Sequence, residues 1–421
     1  MKVFGGNGKR ESNSGSGADT RRTGDHRRNN INEENRGNNN EGVARGSASH
    51  RAPKQKKKGR GWLIALLIIA VIVGGVYIWW TLTAKAPNVT GIPNDPDASP
   101  VITQTATREV GRYYTLLVVG IDQLNANTDT IMLVRYDAVE HKANIVSIPR
   151  DTLVNVPNPV KKINAVCSYA KSNGESEIEA LKDQVEAITG FRPDSYVFID
   201  TEVFVKAIDE LGGVYFDVPV NMNYDDYADN DSDGVCEYIF TIHVQKGYQL
   251  LDGKNALGVF RFRQNNDGTG YGMGDIDRLE TQHALIKAVA KQALTLKNFT
   301  NLIQIAQIVI DNAQTDLTIG NMQWYAGEFL KMTTDDINIM TLPGNYSCTV
   351  RKGSYVSISV DEWMTMVNTY LNPLKNPIKA EDCNILYQLA PDVGYDPTEG
   401  NYAVTNGGEV AGGLNSFYSF G

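Results

Sequence analysis

Short apolar runs, each closed by a glycine, a proline or a polar cluster, alternate through the middle of this chain with longer stretches of helical periodicity. The short runs read as strands and the longer ones as amphipathic helices. Residues 114–120 (Tyr-Thr-Leu-Leu-Val-Val-Gly), 130–136 and 143–148 predict three strands, and 196–199 a fourth. Residues 176–189 predict a helix closing at Gly190, and 202–211 another ending at Gly212-Gly213. Further strands are predicted near 214–218, 238–244 and 258–262. From 276 the pattern turns helical through 295, and again over 299–313 and 321–333. This alternation predicts an α/β fold, an α-β-α sandwich with helices on both faces of a central mixed or parallel sheet.

One apolar run is of a different kind. From Trp62 to Leu82 no residue is charged, and Tyr77, Trp79 and Trp80 stand near its end. About 20 such residues span the hydrocarbon layer as a helix, and interfacial aromatics often mark where it leaves. Lys54, Lys56, Lys57, Lys58 and Arg60 precede it. The expectation is a single-pass, uncleaved transmembrane helix over 61–82, with the N-terminus cytoplasmic and the body extracellular. A cleaved signal peptide has a shorter apolar core behind a short leader.

Charge divides the chain at the same place. Residues 1–60 hold 15 Lys and Arg against 6 Asp and Glu, so a chain of net charge −9 carries −18 beyond them. The first 60 residues, rich in Asn, Gly, Ser and Arg, predict a disordered basic tail. Its basic cluster reads as a topology signal that touches anionic lipid, with no nucleic-acid role. Residues 83–110, with Pro87, Pro93, Pro96 and Pro100, predict an extracellular linker. The folded domain is expected over 111–375, and 376–421 reads as a flexible C-terminal tail. Cys167, Cys236, Cys348 and Cys383 fall outside the membrane, where disulfides persist, and three pairings stay open.

The chemistry lies in an excess of arginine and aspartate at the ends of apolar runs. Asp122 and Asp129 follow the first, Arg150 and Asp151 the third, and Arg261 and Arg263 the run at 258–262. Alternation along a strand would set Arg261 and Arg263 on one face. Asp275, Arg278 and Gln282 share a helical face. Guanidiniums match phosphate oxygens bidentately, and aspartates suit magnesium bridging to a substrate phosphate. Together they point to a metal-assisted pyrophosphate site at carboxyl ends of strands. Residues 268–274 are glycine-rich but lack the βαβ setting of a phosphate loop, and read as a loop that closes over the site. Residues 229–234 begin like a calcium loop but have Phe240 where a bidentate Glu is needed.

The ordered set of these motifs resembles the LytR–CpsA–Psr family of Gram-positive cell envelopes. It comprises Gly120-Ile-Asp122, Thr128-Asp129-Thr130, Ser147-Ile-Pro-Arg-Asp151, Lys162-Ile-Asn164, Leu211-Gly-Gly-Val214, residues 251–257, Arg261-Phe-Arg263, and Asp275 with Arg278 and Gln282. The resemblance implies a phosphotransferase moving a glycopolymer (teichoic acid, capsule or another wall polysaccharide) from a polyprenyl-pyrophosphate carrier to peptidoglycan. It also implies a lipid channel. In that reading Asp122 and Asp129 hold Mg2+. Arg150, Arg261, Arg263 and Arg278 grip the pyrophosphate, with Lys162 and Gln282 in support. Arg150, Asp151 and Asp275 are catalytic, Asp151 or Asp275 being the base. Asn127 and Thr281 stand where the family has arginines, so one or two phosphate contacts are either missing or supplied by Arg135, Arg192 or a loop residue. A non-catalytic polyprenyl-phosphate sensor or scaffold, or a polyprenyl pyrophosphatase, are the competing functions.

Overall fold

The computed structural model describes Val71 and residues 81–89, 108–109, 111–121, 128–228, 237–272, 275–295, 299–350, 353–389 and 402–412. All belong to one compact unit, Ala65–Gly421. The basic tail, most of the expected membrane span and most of the linker lie outside them. Among the described residues no helix is long and apolar enough to cross a membrane.

The strands are β1 (Tyr113–Ile121), β2 (Thr128–Asp137), β3 (Lys142–Ile148), β4 (Ser195–Ile199), β5 (Val214–Val218), β6 (Met222–Ala228), β7 (Glu237–Val244) and β8 (Gly247–Leu251). Then come β9 (Gln314–Thr315), β10 (Ile337–Thr341), β11 (Gly344–Val350), β12 (Gly353–Ile358), β13 (Leu386–Gln388) and β14 (Tyr402–Val404). The helices are α1 (Ala165–Ser172), α2 (Glu177–Thr189), α3 (Thr201–Glu210), α4 (Gly253–Arg261), α5 (Asp275–Ala293), α6 (Phe299–Asn312), α7 (Ile319–Phe329) and α8 (Val360–Met366).

A mixed six-stranded sheet of order β10-β3-β2-β1-β4-β9 forms the centre. β10 with β3 and β1 with β4 are parallel, and the other pairs antiparallel. Side chains alternate across it as the pleat requires. Leu117, Val119, Ile131, Leu133, Val146 and Ile148 face one core with Leu181, Val185 and Ile188 of α2 and Trp363 and Met364 of α8. Tyr114, Tyr136, Ala143 and Ile145 face the other way, against Ala290 of α5 and Trp324, Tyr325 and Phe329 of α7. α2 starts at Ser176, whose hydroxyl accepts from Glu179 N, and ends at Gly190 with φ +77°. That left-handed conformation suits glycine, and a Cβ there would also collide with Ile378.

Beside the sheet stand two antiparallel ribbons, β5–β8 and β6–β7. Their inner residues share a second core with Ala256 and Val259 of α4 and Leu285 of α5.

Three expectations change here. Residues 258–262 are not a strand but the end of α4. Asp252 caps that helix by accepting from Asn255 N at 2.8 Å, and Gly253, Ala256 and Val259 recur at helical spacing on its buried side. At Gly253 the helix meets α3 so closely that a Cβ would fall on the Val205 carbonyl. Second, the expected loose tail is partly built into the body. β13 pairs with β14, Leu386 and Val404 are buried with Tyr355, and Ala411 O accepts from the buried Lys161 amine at 2.6 Å. Third, Cys167, Cys348 and Cys383 are buried free thiols. Cys236 lies outside the described residues.

Candidate active site

Three motifs that are distant in sequence are knitted together at one end of the sheet. Proline 149 ends β3, and the chain turns so that Thr152 Oγ1 and Thr152 N both donate to Pro149 O. Asn164 N then donates to Arg150 O at 3.1 Å, Ile163 N to Thr152 O at 2.9 Å, and Thr128 N to Asn164 O at 3.5 Å. The Lys162-Ile-Asn164 segment thereby ties the end of β3 to the start of β2. Four charges line up along this seam. Arg150 Nη1 lies 2.9 Å from Asp129 Oδ1, Arg150 Nε 4.0 Å from Asp151 Oδ2, and Asp151 Oδ1 2.8 Å from Lys162 Nζ. Lys162 Nζ also sits 5.4 Å from the Tyr355 ring centroid.

The second wall comes from α4 and α5. Arg261 ends α4 and Arg263 follows it past Phe262, and both face a cavity of about 390 Å3 that Asp129, Arg150, Arg278 and Gln282 also line. The arginines therefore converge although their segment is not a strand. A helix C-terminus favours cations, so Arg261 is well placed there. Arg261 also stacks over the Phe240 ring, 4.6 Å from its centroid. Gln282 Nε2 donates to Phe260 O at 2.9 Å, fixing α5 against the last turn of α4. A narrower recess adjoins, where Asp129, Arg150, Asp151, Arg278 and Gln282 meet apolar Ile131, Met132 and Ile286.

Among the cavity residues that escaped the sequence reading are Tyr224 and Asp226. Burial raises the Tyr224 phenol pKa and Asp226 adds to it, while Arg261 and Arg263 oppose the rise. Their spacing on β6, two residues apart, was the available signal. His283 follows Gln282 on α5. Its Nε2 lies 3.0 Å from Ser147 Oγ, and burial lowers its pKa, favouring the neutral ring.

Other expected contributors stand elsewhere. Arg135 donates to Asn372 O at 2.9 Å and Thr369 O at 3.3 Å, serving the end of the α8 segment. Arg192 binds Asp183, Glu186 and Glu179 beside α2. Neither replaces a phosphate contact. Thr281 is buried on the far side of α5, against the groove that holds Tyr271. Asp122, Asn127 and the calcium-like segment lie outside the described residues. Asp275 begins α5, but its side chain is not described. The chain just before the glycine-rich segment is tied to β6 through Asn266 N to Asn223 O at 3.3 Å and Asn266 Nδ2 to Asp225 O at 2.9 Å.

Magnesium takes hard oxygen ligands and keeps several waters. The Asp129 carboxylate is 42% exposed and opens on the cavity, so its chemistry fits. Among the described residues no group of three or more His, Cys, Asp or Glu could hold a metal.

The chain is 26% identical over 303 residues to the polyisoprenyl-teichoic acid–peptidoglycan teichoic acid transferase TagU of Oceanobacillus iheyensis, covering 68% of this chain and 87% of that one. It is 30% identical over 222 residues to an uncharacterized Staphylococcus aureus protein, covering 53% of this chain and about half, 49%, of that relative. Protein gbs0355 of Streptococcus agalactiae has the same fold, with TM-score 0.51 at 21% identity over 64% of this chain and 90% of that one. The model of the LytR_cpsA_psr family matches residues 77–372, and the chain belongs to that family.

Proposed function

We propose that this protein transfers a glycopolymer from a polyprenyl pyrophosphate to peptidoglycan, anchored by one N-terminal membrane helix with the described domain outside. The observation that carries this reading is the convergence of Arg150, Arg261, Arg263 and Arg278 with Asp129 on one cavity. Relatives named as teichoic acid–peptidoglycan transferases support it.

Phosphoryl transfer depends on positioning and on neutralising charge, which is what clustered guanidiniums supply. The acceptor hydroxyl oxygen attacks the glycan-side phosphorus, and the bond from that phosphorus to the bridging oxygen breaks. Polyprenyl monophosphate leaves with the electron pair. Arg150, Arg261, Arg263 and Arg278 hold the pyrophosphate oxygens while this happens. Asp129, with Asp122, would hold Mg2+, which supplies further charge neutralisation when bound. Asp151 positions Lys162 and Arg150, and either it or Asp275 would take the hydroxyl proton as general base.

The test is the full chain in lipid vesicles with a labelled polyprenyl-pyrophosphate-linked glycan, magnesium and peptidoglycan. Label should appear on peptidoglycan with one polyprenyl monophosphate per glycan. Monophosphate with no labelled acceptor would mean a phosphatase, and binding with no product a sensor.

A further inference from the structure

A second groove of about 760 Å3 lies on the other side of α5 from the arginine cavity. One wall is the outer face of the β5–β8 ribbon, where Tyr215 and Asp217 alternate outward from the buried Phe216. Asp217 pairs with Tyr248 across the ribbon, which places Tyr248 diagonal to Tyr215. Their rings stack at 5.8 Å between centroids and 14° between planes. Tyr215 stays 50% and Tyr248 73% exposed. The facing wall is α5, and the floor holds Tyr271, which meets Phe262 edge-on at 5.2 Å.

Large flat aromatic faces left in water beside carboxylates are a poor surface for a phosphate and a good one for a sugar. The axial C–H bonds of a pyranose lie against a ring face, and carboxylates accept its hydroxyls. Asp217, Asp277 and Glu280 line the groove with Lys291 as the opposing charge, whereas the neighbouring cavity gathers Arg150, Arg261, Arg263 and Arg278. A polyanionic donor polymer would be repelled here. The two spaces share α5 as a partition: Asp277 and Thr281 face the groove, while Arg278 and Gln282, next in sequence, face the arginines. A glycan lying in the groove is thus one helix width from the phosphate site.

We propose that this groove, with the Tyr215–Tyr248 pair as its platform, binds the uncharged glycan strand of the peptidoglycan acceptor. This deepens the transferase reading and rests on it.

The probe is a β-1,4-linked N-acetylglucosamine tetramer titrated against the full chain in detergent, with geranylgeranyl pyrophosphate titrated in parallel. Both tyrosines are exposed, so Tyr215→Ala and Tyr248→Ala should fold normally. The expected result is tetramer binding that weakens about tenfold in each variant and is lost in the double variant, with geranylgeranyl pyrophosphate binding unchanged. Arg263→Ala should do the reverse. Absent tetramer binding, or tetramer binding indifferent to both tyrosines, overturns the groove assignment. So does loss of geranylgeranyl pyrophosphate binding in the tyrosine variants, because the groove would then belong to the donor. Failure of Arg263→Ala to weaken geranylgeranyl pyrophosphate counts against the pyrophosphate site alone.

Discussion

Arg150 donates to Asp129 across 2.9 Å, joining the turn after β3 to the start of β2. The same guanidinium faces Asp151 at 4.0 Å, so two carboxylates hold its plane toward the cavity before substrate arrives. Preorganised charge of this kind acts mainly on the transition state. Arg150→Ala should lower the transfer rate by about 10²–10³-fold with a smaller change in KM. Arg150→Lys should recover little, since an ammonium lacks the planar fork. Single-turnover transfer of a labelled lipid-linked glycan reads both, and a normal rate in Arg150→Ala would remove the residue from the site.

Magnesium dependence should follow from Asp129. Chelation is expected to stop transfer and added magnesium to restore it. Asp129→Asn keeps the shape but weakens the ligand, so half-maximal activity should need about tenfold more magnesium or greater. A magnesium titration of the two proteins checks this. Equal midpoints would exclude Asp129 as a ligand.

Much of the fold could be read from alternation alone. β1 through β4, α2 and α3 sit where the pattern of apolar residues and closing glycines puts them. The failure at 258–262 has a local cause: Gly258-Val-Phe-Arg-Phe262 mixes β-formers with a glycine, and only the Asp252 cap and the buried spacing of Ala256 and Val259 reveal the helix. The site survived that error because convergence depends on where α4 ends rather than on strand alternation. The built-in tail was illegible for another reason. Leu386 and Val404 lie among polar residues, and their burial arises from long-range contacts with Leu153 and Tyr355, while Ile385 is buried in the main core with Ile188 and Trp363. Sequence periodicity carries no information about such contacts.

Lys161 makes that tail testable. It is fully buried, donates to Val156 O and Ala411 O, and burial lowers its amine to about 8 from the ordinary 10.5. The folded state thus holds the proton less tightly than the unfolded one. The resulting penalty is fully present below pH 8 and is relieved as pH rises from 8 to 10.5. Lys161→Met should abolish this part of the pH dependence and open residues 402–412 to protease. Thermal unfolding of both proteins between pH 7 and 10 measures it. Parallel curves would contradict the assignment.

The buried thiols give an independent check of the core. Burial pushes Cys167 and Cys383 up to about 12 and raises Cys348 as well. Thiolate is the reactive form, so all three should resist iodoacetamide at pH 8 in the native protein. They should label fully after unfolding without reductant, read by mass spectrometry. A need for reductant would mean a disulfide and contradict the free thiols.

The pyrophosphate site itself is tested most directly by equilibrium binding of geranylgeranyl pyrophosphate to the full chain, wild type against Arg261→Ala, Arg263→Ala and Arg278→Ala. Each arginine lines the same cavity. Each loss of a charge-assisted contact should weaken binding about tenfold or more, and geranylgeranyl monophosphate should bind more weakly than the pyrophosphate. Unchanged affinity in all three variants would contradict a pyrophosphate site formed by these arginines.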